Sequence, residues 1–335
     1  MILDNSLISL LTPIGENIMK SAGLSGAPSN MDELYTFIKE LKRLAEANDN
    51  SAALVCHILY SFVTSEEVRD RHTSPREFED IFGSLFGTVS TDSITRTNPT
   101  APDYIKAYDV ISQGEDWTIS TDLSGNKREK ADVKFGTYEL SLKTLKGKSY
   151  DANGTLLDNN FNNEINVGSF SYRALFKGIL SDQELQELSD RKGGLGSGPQ
   201  MRKYVLDPIK AAGKNTDFRN RLHDFLSYVY SDDVLILIKS NYQITFYLVP
   251  SNSFVESICT LYDNNEAEFQ KVWYRWENNN LRFPLNNFIN NIKKYNLTIR
   301  EITIDLSLFE KNQAIKTFKK NIEDAIRENI SIITN

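Results

Sequence analysis

Asp132, Glu139, Ser141 and Lys143 are the residues whose types and spacing can do chemistry together. They lie within residues 131–147, a stretch that reads as two β-strands joined by a tight turn at Phe135-Gly136-Thr137. Asp132 sits on the first strand. Glu139, Ser141 and Lys143 take alternating positions of the second, and side chains alternate faces with period 2, so these three point the same way. An aspartate facing a polar-x-lysine unit across a hairpin can hold a divalent cation and activate a water. That is phosphodiester-cleaving chemistry, in which magnesium takes carboxylate oxygens and waters. Asp132 is the expected central ligand, and the backbone carbonyl of Leu142 is an expected additional one. Lys143 would touch the attacking water or the phosphate as a point charge. Thr144, Lys146 and Lys148 follow as further donors for a phosphate-lined cleft. Leu140 and Leu142 are expected to bury the opposite face and so fix the register. The alternative for the same residues is the solvated face of an edge hairpin, with its charges paired across the strands.

The elements that must position this hairpin are legible on either side of it. Residues 1–92 read as helical. Asn30-Met-Asp-Glu33 supplies a cap with acids in the first turn, ahead of an apolar stripe at Leu34, Ile38, Leu41 and Leu44. Residues 51–63 read as a buried helix. Ser74-Pro75-Arg76-Glu77 is a compact helix start, and Phe78, Ile81, Phe82 and Leu85 follow on one side. A surface loop is expected at 91–103 and a strand at 117–122. The hairpin occupies 129–135 and 138–145, then a polar loop runs over 146–163. Helices are expected at 171–189, 200–212 and 217–230. A second hairpin spans 233–239 and 243–249, turned at Ser240-Asn241, and its first strand is apolar on both faces, as a central strand would be. A closing helix is expected at 309–329. The fold class is α/β or α+β: a mixed central sheet flanked by helices. The divisions read as a helical N-terminal part at 1–73, a core at 74–260, and a C-terminal α/β extension at 261–335 packed on the core.

Composition narrows the function. At 335 residues, with 40% hydrophobic and 25% charged residues, the chain has an ordinary globular composition. Its longest apolar runs are too short to span a bilayer, and residues 1–11 make a poor signal peptide. The net charge of −7 weighs against a broadly basic surface but leaves room for a local basic cleft. Cys56 and Cys259, with no CxxC, read as buried thiols in a reducing cytoplasm. His57, His72 and His223 lack metal-ligand spacing, and Cys56 and His57 are adjacent, which makes a poor catalytic dyad. Gly193–Gly198 is not followed by Gly-Lys-Ser/Thr, so no nucleotide cofactor is expected. It reads as a connector, or as a loop that orders on DNA, with Arg191, Lys192, Arg202 and Lys203 around it. Residues 273–283 mix aromatics, amides and arginines. They read as an amphipathic strand turned by asparagines, or as a recognition element carrying Arg275, Asn279 and Arg282.

The hairpin resembles the PD-(D/E)XK nuclease superfamily, and within it the type II restriction endonucleases. Asp132 matches the aspartate that begins one strand, with Ala131 before it instead of proline. Lys143 matches the lysine of the next strand, and Ser141 fills the slot where the commonest pattern has an acid. The resemblance covers about residues 74–250. It implies a restriction-endonuclease-like core, Mg²⁺ as cofactor with Mn²⁺ substituting, double-stranded DNA as substrate, a homodimer and a bacterial cytoplasm. It also implies that a carboxylate from elsewhere completes the metal site: Glu139, one pleat away, or Glu79 on the Ser74-capped helix, with Glu77 a weaker version. Two other readings stay open. One is a repair or recombination nuclease that reads DNA structure, and the other is a non-catalytic nucleic-acid-binding protein with this fold.

Overall fold

The computed structural model describes residues 3–63, 75–90, 131–157, 164–169, 176, 178–189, 198–230, 232–264, 266–267, 269, 275–277, 280–309 and 315–317. The expected loop at 91–103, the strand at 117–122, the glycine-rich 193–197 with Arg191 and Lys192, Asn279 and most of the closing helix lie outside them.

Four helices open the chain: α1 (Leu3–Ser21), α2 (Met31–Glu46), α3 (Asn50–Phe62) and α4 (Pro75–Ser84). The caps are those expected. The Asn30 side chain accepts from the Glu33 amide at 3.0 Å, and Glu33 accepts in return from the Ser29 amide at 2.8 Å. α4 begins at Pro75, whose fixed φ suits a first helical position.

The hairpin forms β1 (Val133–Phe135) and β2 (Tyr138–Lys146), with Val133 opposite Leu140 and Phe135 opposite Tyr138. Gly136 sits in the two-residue turn at φ 61°, a left-handed value glycine adopts without a Cβ penalty. After β3 (Glu164–Ser169) come the helices α5 (Asp182–Ser189), α6 (198–211) and α7 (Asn215–Val229). α6 carries a π-helical turn at Arg202–Leu206. Then follow β4 (Asp233–Ser240), β5 (Gln243–Val249), α8 (Ser251–Asn264), β6 (Arg275–Glu277), β7 (Asn280–Pro284), α9 (Leu285–Lys294) and β8 (Arg300–Asp305).

The central sheet has the order β1-β2-β4-β5-β8. β2 and β4 run parallel, with Ser141 opposite Val234, and the other pairs are antiparallel. Parallel neighbours need a long crossover, which the helices between β2 and β4 supply. β4 is central, and Val234, Leu235, Ile236 and Leu237 are all fully buried. The fold is therefore the expected mixed sheet flanked by helices. β8 completes this sheet from the last third of the chain. β3, β7 and β6 form a second, smaller antiparallel sheet in the order β3-β7-β6.

Alternation divides the core in two. Leu140, Leu142, Leu235 and Leu237 pack with the helices α1–α4 on one face. Leu145, Val234 and Ile236 pack with α5–α9 on the other. Each layer holds one buried free cysteine, Cys56 in the first and Cys259 in the second. Burial pushes both thiols up, Cys259 to about 12. Among the described residues, no helix is long and apolar enough to cross a membrane.

The helical layer is tight where α1 crosses α4. The Thr12 hydroxyl donates to the Ser84 carbonyl at 2.8 Å, and a Cβ built on Gly15 would lie 1.8 Å from the Leu85 carbonyl oxygen. Gly15→Ala must force the helices apart. It is expected to cost about 1–3 kcal/mol, the usual range for overpacking, and chemical denaturation measures it as a lower midpoint at unchanged slope.

Candidate active site

Asp132 lies one residue before β1, and continuing the register places it opposite Ser141. Its amide donates to the Leu140 carbonyl at 3.0 Å, so the ladder fixes its backbone. Its Oδ2 accepts from the Leu142 amide at 2.6 Å and lies 3.6 Å from Lys143 Nζ. The carboxylate thus takes the hydrogen bond that a longer β1 would have made with β2. This is a local reason for an aspartate where the strand begins, independent of any chemistry. Asp132 and Lys143 are each about three-quarters buried, at 26% and 28% side-chain exposure. At that depth their attraction is less screened than between exposed groups.

The arrangement leaves Asp132 Oδ1 with no partner among the described residues. The amide and carbonyl of one strand residue point to the same side, so the Leu142 carbonyl lies on the edge where its amide meets Asp132. A carboxylate oxygen and a carbonyl oxygen are hard donors of the type that Mg²⁺ or Mn²⁺ takes, with water in the remaining positions. The donor set fits such an ion, with Asp132 and Leu142 as the residues that would hold it.

The other expected residues divide by face. Ser141 is 8% exposed and shares the Asp132 and Lys143 face, as β-alternation requires. Glu139 shares that face, but its Oε1 pairs with Lys134 Nζ at 2.7 Å across the hairpin. Such a cross-strand pair contributes about 0.2–1 kcal/mol. Glu79 is on α4, whose Phe78, Ile81 and Phe82 pack with Val133, Phe135, Leu140 and Leu142. That is the opposite face of the sheet, and Glu77 is on the same helix. Among the described residues, no three His, Cys, Asp or Glu side chains converge where a metal could sit. α4, which carries Glu79, the alternative to Glu139 for completing the metal site, packs on the sheet face opposite that of Asp132.

Thr144 and Lys146 also depart from the expected cleft. They alternate with Lys143 and lie on the face of Leu140 and Leu142. Lys148 is exposed, past the end of β2. Arg202 and Lys203 are exposed on the π-helical turn, Arg202 at 3.5 Å from Asp207 and Lys203 over the Tyr204 ring. Arg275 and Arg282 are partners in β6 and β7, which matches the strand reading of that segment, and their side chains lie outside the described residues.

Nothing in the sequence marks Tyr230. It caps α7 and belongs to the same buried layer as Leu145, Val234 and Ile236. Its ring stacks on Phe254 at 3.8 Å, and its carbonyl accepts from the Ser251 hydroxyl. The Tyr230 hydroxyl is buried without a hydrogen-bond partner. Burial, and second to it the charge of Asp132, holds its pKa well above the ordinary tyrosine value. Leaving a buried hydroxyl unpaired costs about 1–3 kcal/mol. In sequence a tyrosine at a helix end is indistinguishable from ordinary core.

Asp132→Asn keeps an oxygen for the Leu142 amide, whereas Asp132→Ala leaves that amide unpaired. The alanine variant is expected to lose about 1–2 kcal/mol of stability and the asparagine variant less, while both lose affinity for Mn²⁺. Thermal melts with and without Mn²⁺ separate the two effects.

Compared with protein-family models, with curated proteins and with solved structures, the chain matches none.

Proposed function

We propose that this protein is a Mg²⁺-dependent, sequence-specific endonuclease of double-stranded DNA, of the type II restriction kind. The observation that carries the reading is the meeting of Asp132, the Leu142 backbone and Lys143 at the start of β1. A metal-ligating oxygen and a mobile cation face one point there, held by the register of the hairpin. Mg²⁺, when bound, supplies a more acidic water and neutralises charge on the scissile phosphate.

The chain's own residues do the rest. Asp132 would hold the ion, and the Leu142 amide, donating to its Oδ2, holds the carboxylate against β2. Lys143 lies beside that carboxylate with its ammonium as a point charge, suited to orienting the attacking water and to a phosphate oxygen. Ser141, between them and nearly buried, offers a neutral hydroxyl in place of a second charge. Mn²⁺ substitutes because it takes the same oxygen donors. A palindromic site is most simply read by two copies, so the active form is a homodimer. The resemblance also places the enzyme in a bacterial cytoplasm, where two free thiols stay reduced.

Ser141 in the acid slot, with no converging acids among the described residues, favours one second reading: a DNA-binding protein without cleavage. Digestion of a defined phage or plasmid DNA with and without Mg²⁺ separates them. Discrete fragments are expected from the wild type, none without metal, and a loss on the order of 10²-fold or more in Asp132→Ala and Lys143→Ala. Cleavage at DNA junctions or ends, without discrete bands, would instead indicate a structure-directed nuclease. No cleavage by folded protein on several DNAs would leave the binding reading.

A further inference from the structure

Five large hydrophobic side chains are exposed among the described residues, and four of them gather at one corner of the central sheet. Tyr150 and Leu157 lie in the loop after β2, Tyr242 is in the turn between β4 and β5, and Leu308 follows β8. Hydrogen bonds tie these pieces together. The Tyr150 amide donates to Asn241 Oδ1 at 2.6 Å, and the Asn241 amide donates to Ser149 Oγ at 3.0 Å. The Leu157 amide donates to the Ser149 carbonyl and the Leu306 amide to the Tyr242 carbonyl, both at 2.8 Å. Single exposed apolar side chains are ordinary, whereas a cluster of them marks an interaction surface.

Basic groups are set among these rings. β2 ends at Lys146, whose register partner on β4 is Lys239, and Lys148 follows, exposed. Lys239 Nζ lies 4.4 Å from the centre of the Tyr60 ring, and that ring lies nearly parallel to Tyr242 at 6.3 Å and 11°. Residues 146–150 and 239–242 hold three lysines and no acid, in a chain of net charge −7. The acids that flank them are engaged locally: Asp151 accepts from the Asn153 and Thr155 amides, and Asp305 from the Ser307 amide and hydroxyl.

The turn itself is unusual. Asn241 and Tyr242 both have positive φ, 46° and 59°. A two-residue turn of this kind takes asparagine readily at its first position and favours glycine at its second. A tyrosine stands there against that preference, with its ring 49% exposed.

The chemistry of the corner narrows the partner. Lysine is depleted in protein–protein interfaces, so rings interleaved with lysines favour another class of ligand. Phosphates suit the ammonium groups and bases suit the rings, the combination by which proteins hold single-stranded nucleic acid. A duplex hides the faces of its bases, so the strand that stacks is unpaired. We propose that this corner is a docking surface for single-stranded DNA, with a base on the open side of the Tyr242 ring and phosphates at Lys146, Lys148 and Lys239. The corner shares no residue with the Asp132 site. Lys146 is five residues along β2 from Ser141, about 16 Å away at the rise of a strand. Only the choice of DNA over RNA rests on the nuclease reading.

The test is fluorescence anisotropy of a labelled oligothymidylate of about 20 nucleotides, with a chelator present so that no metal-dependent cleavage intervenes. Wild type is expected to bind it at low salt, and more tightly than the same length of duplex. Tyr242→Gly suits the turn and removes the ring, and it is expected to keep the fold by circular dichroism and to bind about tenfold more weakly. Lys148→Gln is expected to reduce the slope of log affinity against log salt by about 0.7. Folded wild type that does not bind overturns the proposal. Binding that moves with neither variant also overturns it, as does a dimer that Tyr242→Gly dissociates in sedimentation, which would give the surface to a second copy of the chain. Tighter binding of oligouridylate overturns the choice of DNA. Cleavage with Mg²⁺ is scored separately, so this proposal and the nuclease reading can each fail alone.

Discussion

β2 and β4 run parallel and β4 is buried on both faces, and this pairing sets the constraint under which the rest of the molecule is arranged. A parallel pair cannot be closed by a tight turn, so a helical crossover must leave the sheet and return. A central strand apolar on both faces, as β4 is, also demands two coverings. The chain before β1 supplies one covering as α1–α4, and the crossover helices with α8 and α9 supply the other. β1 and β8 become the edges, and α2 closes the β8 edge through an ion pair between Arg300 and Asp32.

The candidate site lies where this arrangement runs out. Among the described residues β1 is only three residues long, and β2 extends past it with further ladder groups. Asp132 answers one of them with a side chain. The same shortness brings a carboxylate, a carbonyl and a lysine to one edge of a double-sided core. Partial burial strengthens every charge interaction there, and the neighbouring polar position, Ser141, carries no charge.

Local features were the most legible in the sequence. Both hairpins of the central sheet were readable because period-2 runs flank turn residues, and β5 has the expected limits of 243–249. The second turn is centred one residue later than expected, on Asn241 and Tyr242, both with positive φ. Cap chemistry located α2 and α4. Of the helix expected at 171–189, Asp182–Ser189 is regular, after Gly178 at φ 76° and a cap in which Ser181 and Glu184 bond each other, and 171–175 lie outside the described residues. β3 is hard to read from the sequence because its alternation, Ile165 and Val167 between polar residues, is brief, and its partner β7 is remote in sequence. At the site, Asp132 and Lys143 were legible from spacing. The side of the sheet that α4 covers was not, since an apolar stripe says that a helix packs and not against which face. Thr144 and Lys146 were grouped with Lys143 by proximity, although alternation already separated them.

The two-layer core has a last consequence, which concerns its thiols. Cys56 and Cys259 are both free, both sealed, and one lies in each layer. Neither can react with an alkylating reagent until its own layer opens, because buried thiols stay protonated and out of reach. The molecule therefore carries two built-in clocks. Their relative rates of modification record whether the layers on the two sides of the sheet come apart as one cooperative unit or separately.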